Sequence, residues 1–197
     1  MPQPQGLGSI STIESILLLK LMRLVNPPYI FEFGTYKGLT TRLLLENLPE
    51  NGVDTERIYT LDLPDLEDVR FQGTDKVLAS EALGFSRKYL SSSRKRLVKQ
   101  IFQDSMTLDP APYLSKFQFI FVDANHELNY VRRDTENAFK MLSGRPSCII
   151  WHDYGNPEFP ELTHYLDGLS NEFKMYHIGD TMLAFHLVGI EVAPSKS

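Results

Sequence analysis

Apolar and polar positions along this chain follow two alternating periods. Ile13, Ile16, Leu17, Leu21, Leu24 and Val25 recur at helical spacing behind Ser11-Thr12-Ile13-Glu14, which has the form of a capping box. Asn26-Pro27-Pro28 ends this leading helix, because proline removes a donor and disfavours helical backbone in the residue before it. Short apolar runs rich in β-branched and aromatic residues follow at Tyr29 to Phe33, Arg57 to Leu63, Lys99 to Gln103, Phe117 to Val122 and Ser147 to Trp151, and these are predicted strands. Helical patterns separate most of them, clearest at Leu39 to Leu48 and Glu127 to Leu142. In the second, Leu128, Val131, Thr135, Ala138, Phe139 and Leu142 face one way, while Arg132, Arg133, Glu136 and Lys140 face water.

Alternating strands and helices imply a parallel sheet covered on both faces. The end of the chain departs from this. Phe173 to Ile178 and Met182 to Val188 are joined by Gly179-Asp180-Thr181 and read as an antiparallel hairpin. The expected fold class is therefore α/β: a doubly wound, mostly parallel seven-stranded sheet with an antiparallel edge. With 197 residues and 42% hydrophobic content, the chain suits one core, so one domain over 1–197 is expected, with a leading helix in 1–28 and the core in 29–188. Met1 to Gly8 and Pro194 to Ser197 are the ends expected to lack order. The segment Pro64 to Val98 has the least pattern, and its basic, serine-rich part "SRKYLSSSRKRLVK" reads as solvated helix and loop.

A net charge of -5 offers no basic field for nucleic acid or anionic lipid. The apolar run Ile13 to Val25 is interrupted by charges and too short to span a bilayer, and it lacks the flanks of a signal peptide. The single cysteine, Cys148, excludes an intrachain disulfide and a multi-cysteine metal site. A cytoplasmic protein is the expectation.

In open parallel sheets, ligands bind beyond the carboxyl ends of the strands. The predicted strands end at Gly34, Asp62, Asp104, Asp123 and His152-Asp153. A single Asp in such a place is often a turn former or helix cap, but four strands in succession ending in carboxylates point to a site. The loop Gly34-Thr35-Tyr36-Lys37-Gly38 is neither G-x-G-x-x-G nor a P-loop. With Glu32 just before it, the loop suits a ligand carrying positive charge, and not a pyrophosphate.

In order and spacing, "FEFGTYKG", "YTLDL", "QDSM", "FVDANHELNYVRRD" and "IIWHDYGNPEFPELTHYLDGL" resemble the motifs of class I S-adenosylmethionine-dependent methyltransferases, specifically the small bacterial group related to macrocin-type O-methyltransferases. The resemblance covers Tyr29 to Leu169 and implies a Rossmann-like sheet. It also implies O-methyl transfer to a small molecule, with Glu32, Gly34, Thr35, Tyr36 and Gly38 around the methionine part of the cofactor. Asp62 would hold the ribose hydroxyls, Asp104, Ser105 and Met106 would line the adenine, and Asp123 would face cofactor, metal or substrate.

A sulfonium favours an acidic, aromatic-lined pocket, for which Glu32, Asp123, Tyr36 and Trp151 are candidates. A hydroxyl acceptor must lose a proton, to a base or under the influence of a metal. Relatives hold a divalent ion through an Asp after the fourth strand and an acidic pair after the fifth. Here the pair is His152-Asp153, so Asp123 and Asp153 are the candidate ligands of magnesium or manganese, and an imidazole weakens the case for the harder ion. His152 and His126 then become the favoured bases beside Asp123, with His164, His177 and His186 assigned to structure. The expected partners are a small-molecule acceptor and, at most, a second copy of the chain. A cofactor-binding relative without metal-dependent catalysis, an oxidoreductase on the same sheet and a non-enzymatic interaction protein are the competing readings, in that order.

Overall fold

The computed structural model describes residues 9–50, 54–67 and 73–192. The expectations for Met1 to Gly8 and Pro194 to Ser197 lie outside these residues. Helix α1 (Thr12–Val25) begins with the capping box foreseen: Ser11 Oγ accepts from Glu14 N, and Glu14 Oε2 accepts from Ser11 N. It ends on Asn26 in the left-handed conformation.

Seven strands form one sheet: β1 (Ile30–Phe33), β2 (Ile58–Asp62), β3 (Val98–Phe102), β4 (Phe119–Val122), β5 (Ser147–Trp151), β6 (Met175–His177) and β7 (Ala184–Val188), in the order β3-β2-β1-β4-β5-β7-β6. β1 to β5 are parallel, and β7 runs antiparallel to both β5 and β6. β4 begins two residues later than its apolar run, because Phe117 N bonds to Met141 O at the end of a helix. β6 is shorter than predicted because Phe173 is drawn into the preceding helical turn, its N–H bonding to Leu169 O and its ring stacking on Phe139 at 4.2 Å.

Side-chain alternation on the strands sorts the core into two layers. Ile30, Ile58, Phe119, Phe121 and Ile150 pack under α1 and α2 (Leu39–Glu46). Phe31, Phe33, Tyr59, Ile120 and Trp151 pack under α4 (Leu128–Met141) and α5 (Pro160–Leu169). The buried face of α4 is wider than its apolar stripe, for it includes Asp134 and Asn137. The segment least legible in sequence forms α3 (Gly73–Leu83), followed by 3-10 turns at Lys88–Ser91 and Lys95–Leu97. Among the described residues, no helix is long and apolar enough to cross a membrane.

Candidate active site

The strand order reverses between β1 and β4, and the loops leaving these two strands part there to form a crevice. Gly34 sits at its floor with φ 92°, and a Cβ on it would lie 2.0 Å from the carbonyl oxygen of Asp123. Only glycine lets the two loops touch. Around this contact, a cavity of about 440 Å³ opens along the carboxyl ends of β1 to β5. Helix α3 walls one side with Asp75, Leu78 and Ala79, and Phe159 and Met182 close another.

Of the residues singled out from sequence, Gly34, Tyr36, Asp62, Asp104, Ser105, Asp123, His126, His152 and Asp153 line this cavity. No lysine or arginine lines it among the described residues. The others are placed elsewhere. Thr35 is buried, its hydroxyl 2.7 Å from that of Thr60. Gly38 is the N-cap of α2, and Met106 sits outside the lining on the turn capped by Asp104. Trp151, expected as an aromatic wall, is instead a core residue: it is 1% exposed and its indole N–H donates to Thr135 Oγ1. His164 lies in a separate shallow groove between α4 and α5, while His177 and His186 bond to backbone carbonyls.

Glu32 does not reach the cavity. It is fully buried beneath the loop, and its Oε2 accepts from Thr41 Oγ1 at 2.5 Å and Thr60 Oγ1 at 2.6 Å. Behind Thr60 the chain of donors continues through Thr35 to Gln100 Nε2, while Gln100 Oε1 accepts from Tyr89. Burial pushes the Glu32 carboxyl up to about 8 against these two hydroxyl bonds. At neutral pH it is predominantly a neutral acid that ties β1, β2 and α2 together.

The acceptor side is an alternating row of acids and imidazoles drawn from four segments: α1, α3 and the loops after β4 and β5. Asp75 on α3 accepts from His126 twice, from the backbone N–H at 2.9 Å and at ring Nδ1 at 2.6 Å. His126 Nε2 meets Asp153 Oδ2 at 2.8 Å, and the same oxygen meets His152 Nδ1 at 2.8 Å. Asp123 Oδ1 lies 3.3 Å from His152 Nδ1, and Glu14 Oε2 lies 3.5 Å from His152 Nε2. Phe159 stacks on the His126 ring at 4.1 Å. Asn156 Nδ2 donates to Asp153 Oδ1, and Asp153 adopts a left-handed φ of 61° that turns its side chain into the row.

Burial would strip the proton from His126, but the hydrogen bonds to Asp153 and Asp75 outweigh it and push the pKa up to about 10. For His152, burial is likewise outweighed by Asp123, Asp153 and Glu14, to about 12. An imidazolium has no lone pair to accept a proton, so these partners work against either ring as a base. The two histidines expected from sequence as bases thus stand among carboxylates that favour the protonated ring.

Asp123, His152 and Asp153 each offer one ligand atom, all within 4.8 Å of one another. Two carboxylates and an imidazole fit a divalent transition ion such as manganese better than magnesium. His152 thereby joins the two carboxylates expected from sequence.

Glu14, Asp75, Asn156 and Phe159 were not foreseen as site residues. Glu14 carries a local signal, but one that points to helix capping. Its second oxygen, Oε1, accepts from Met182 N at 2.8 Å, and its hydrogen bonds hold the carboxyl down at about 2 in spite of burial. Asp75 meets its partner across 51 residues of sequence, with no local pattern to announce it.

Comparison with known proteins identifies the family and the fold. A family described as a methyltransferase domain matches residues 31–154. No curated protein matches the chain. Among solved structures, the O-methyltransferase TomG from Streptomyces achromogenes, in complex with SAM, superposes with a TM-score of 0.61 at 20% identity, covering 91% of this chain and 80% of that one. An O-methyltransferase from Bacillus cereus in complex with SAH gives 0.59 at 19% identity, with 92% and 82% covered. The methyltransferase PaMTH1 from Podospora anserina, bound to SAH, gives 0.57 at 18%, with 91% and 79% covered.

Proposed function

The chain belongs to the methyltransferase-domain family, and on that premise we propose that it transfers a methyl group from S-adenosylmethionine to a hydroxyl of a small molecule. The observation that carries the reading is the cavity at the strand ends: its charged lining is carboxylates and imidazoles, with no lysine or arginine among the described residues. A sulfonium with an amino group is drawn to such a lining, whereas a nucleotide polyphosphate is repelled. The Streptomyces and Bacillus neighbours, with SAM and SAH bound, support the same ligand here.

The cofactor half runs from Gly34 to Asp104. Asp62 stands at the end of β2, where a ribose diol is held in folds of this kind, and Asp104 and Ser105 flank the next strand end for the adenine. Gly34 and Tyr36 border the methionine end. Glu32 supports this loop from below through Thr41 and Thr60 and does not contact the ligand.

Methyl transfer is an in-line displacement in which alignment supplies much of the rate. The acid and imidazole row aligns the acceptor. Its imidazoles spend their ring nitrogens on Asp75, Asp153, Asp123 and Glu14, and so hold the carboxylates of the row in place. Asp123 is the least encumbered carboxylate of the row, with His152 Nδ1 at 3.3 Å as its side-chain partner, and it accepts the hydrogen bond of the reacting hydroxyl. A divalent ion held by Asp123, Asp153 and His152 would have to displace the His152 ring proton that the two carboxylates share, and would then supply the Lewis acidity that lowers the hydroxyl pKa.

The partner in this reading is a small molecule. Nucleic acid has no role in it, and a second copy of the chain is to be tested by light scattering. We place the reaction in the cytoplasm, in keeping with a single, buried, unpaired cysteine. A thermal-shift panel of S-adenosylmethionine, S-adenosylhomocysteine, NAD, NADP and ATP tests the cofactor. The first two should raise the melting temperature, and stabilisation by a dinucleotide alone would overturn the assignment.

A further inference from the structure

Asp62 has a partner that the reading above leaves without a role. Arg87 Nη2 lies 3.3 Å from Asp62 Oδ2, with both side chains largely buried. Asp62 Oδ1 accepts from the backbone N–H of Leu63 at 2.9 Å, so each carboxylate oxygen is fixed by a donor. Arg87 is itself held in place. Its guanidinium carbon rests 4.8 Å from the centre of the Phe102 ring at the end of β3.

The segment that carries Arg87 is seated against the glycine loop. Lys88 N donates to Lys37 O at 2.8 Å. A Cβ on Gly38 would come within 3.2 Å of Arg87 Cβ and 3.0 Å of the Tyr89 ring, so the glycine makes room for this segment. The other arginines of the basic stretch are spent elsewhere, Arg94 on the Leu48 carbonyl and Arg96 on Asp54 at the surface. Among the described residues, Asp62 is the one hydrogen-bond acceptor that the Arg87 guanidinium reaches, and its buried Nε–H has no partner.

We propose that Arg87 is a positioning residue for the cofactor ribose, orienting the Asp62 carboxylate so that its remaining lone pairs face the two hydroxyls. This rests on the assignment of Asp62 to the ribose. Burial raises the Asp62 carboxyl above its ordinary range, and Arg87 is the cation that opposes this shift while it aims the acceptor. Arg87 does not line the cavity and touches the ligand only through Asp62.

The test is a double-mutant cycle read by calorimetry with S-adenosylhomocysteine, using Arg87→Gln, Asp62→Ala and the pair. Arg87→Gln should raise Kd roughly tenfold, and should do so hardly at all when Asp62 is already alanine. Arg87→Lys should recover part of the loss because it restores the cation. In turnover, KM for the methyl donor should rise while kcat stays close to wild type. An equal loss in the Asp62→Ala background would overturn the proposal, as would tighter binding by Arg87→Gln, which would make the arginine an obstruction. Asp62→Ala binding as well as wild type would instead remove the ribose assignment itself. Should Arg87→Gln fail to fold, Phe102→Leu at the exposed ring beneath the guanidinium takes its place, and an unchanged Kd there would overturn the proposal.

Discussion

His126 and His152 share one oxygen atom: Asp153 Oδ2 lies 2.8 Å from Nε2 of the first and 2.8 Å from Nδ1 of the second. Two imidazoles on loops after different strands are thereby locked to one carboxylate. Neutralising that carboxylate leaves two buried cations short of a partner. Asp153→Asn should cost about 3–5 kcal/mol at pH 7, the range for breaking a buried ion pair from one side. Urea denaturation measures it, and an unchanged midpoint would show that the row is not held by charge.

The same row sets an alkaline limit. Both histidines have folded pKa values above the unfolded reference of 6.5, at about 10 for His126 and about 12 for His152. Their stabilisation is complete below pH 6.5, diminishes as pH rises above it and is lost as pH passes through those folded values. Melting temperature should fall between pH 8 and 10, and Asp153→Asn should flatten that fall. A wild-type profile with no slope in this window would contradict the assignment of protonated rings.

Glu32 gives a window of its own. Its folded pKa of about 8 exceeds the reference of 4.5, so the unfolded chain ionises first, and the penalty for burying the acid grows from pH 4.5 until it levels off above 8. Glu32→Gln removes the titration. Relative to wild type, the variant should gain on the order of 3 kcal/mol between pH 5 and pH 8.5. Since the wild-type acid is largely uncharged at pH 7, the variant should also bind S-adenosylmethionine and S-adenosylhomocysteine with the same change in affinity. Selective loss of the sulfonium ligand in calorimetry would instead mean that Glu32 is charged.

Gly34→Ala should be the most damaging glycine-to-alanine change among the described glycines. The added carbon would sit 2.0 Å from a backbone oxygen, at a φ of 92° that alanine resists. Either the β1 and β4 loops separate or the chain fails to fold, and a loss above about 4 kcal/mol falls among the exceptional cases. Gly155→Ala is the control, for φ there is 80° but nothing lies within 4 Å of the new carbon. Comparable melting temperatures for the two variants would show that the close approach is unimportant.

If the row takes a divalent ion, chelator should abolish methyl transfer, manganese should restore it more fully than magnesium, and Asp123→Asn should lose the restoration. The manganese electron-spin signal titrated with protein measures binding apart from turnover. Full activity after exhaustive chelation would leave Asp123 to act on the hydroxyl unaided.

What was legible in the sequence follows physical range. Strand ends carrying Gly34, Asp62, Asp104, Asp123 and Asp153 could be read because apolar runs locate the sheet and a parallel sheet places its ligands at one end. Glu32 was misplaced because its separation from the cavity depends on two threonines, one on the next strand and one on α2, which no local pattern brings together. The sequence shows the reference pKa of the two histidines, which suits a base, but not the carboxylates that surround them. Asp75 stayed hidden in the chain's least patterned segment, and Arg87 in a basic stretch that reads as solvated surface.

Glu14 belongs to the first helix, yet it accepts the backbone N–H of Met182, 168 residues further on, just ahead of the last strand. On a ribosome adding about 5–20 residues per second, the helix is made roughly 8–34 s before its partner emerges. Throughout that interval the face of His152 turned toward Glu14 cannot be complete, however well β1 to β4 have paired. The pocket is therefore among the last parts of the molecule to mature, and a nascent chain halted before Met182 would carry every strand of the parallel sheet without a finished acceptor site.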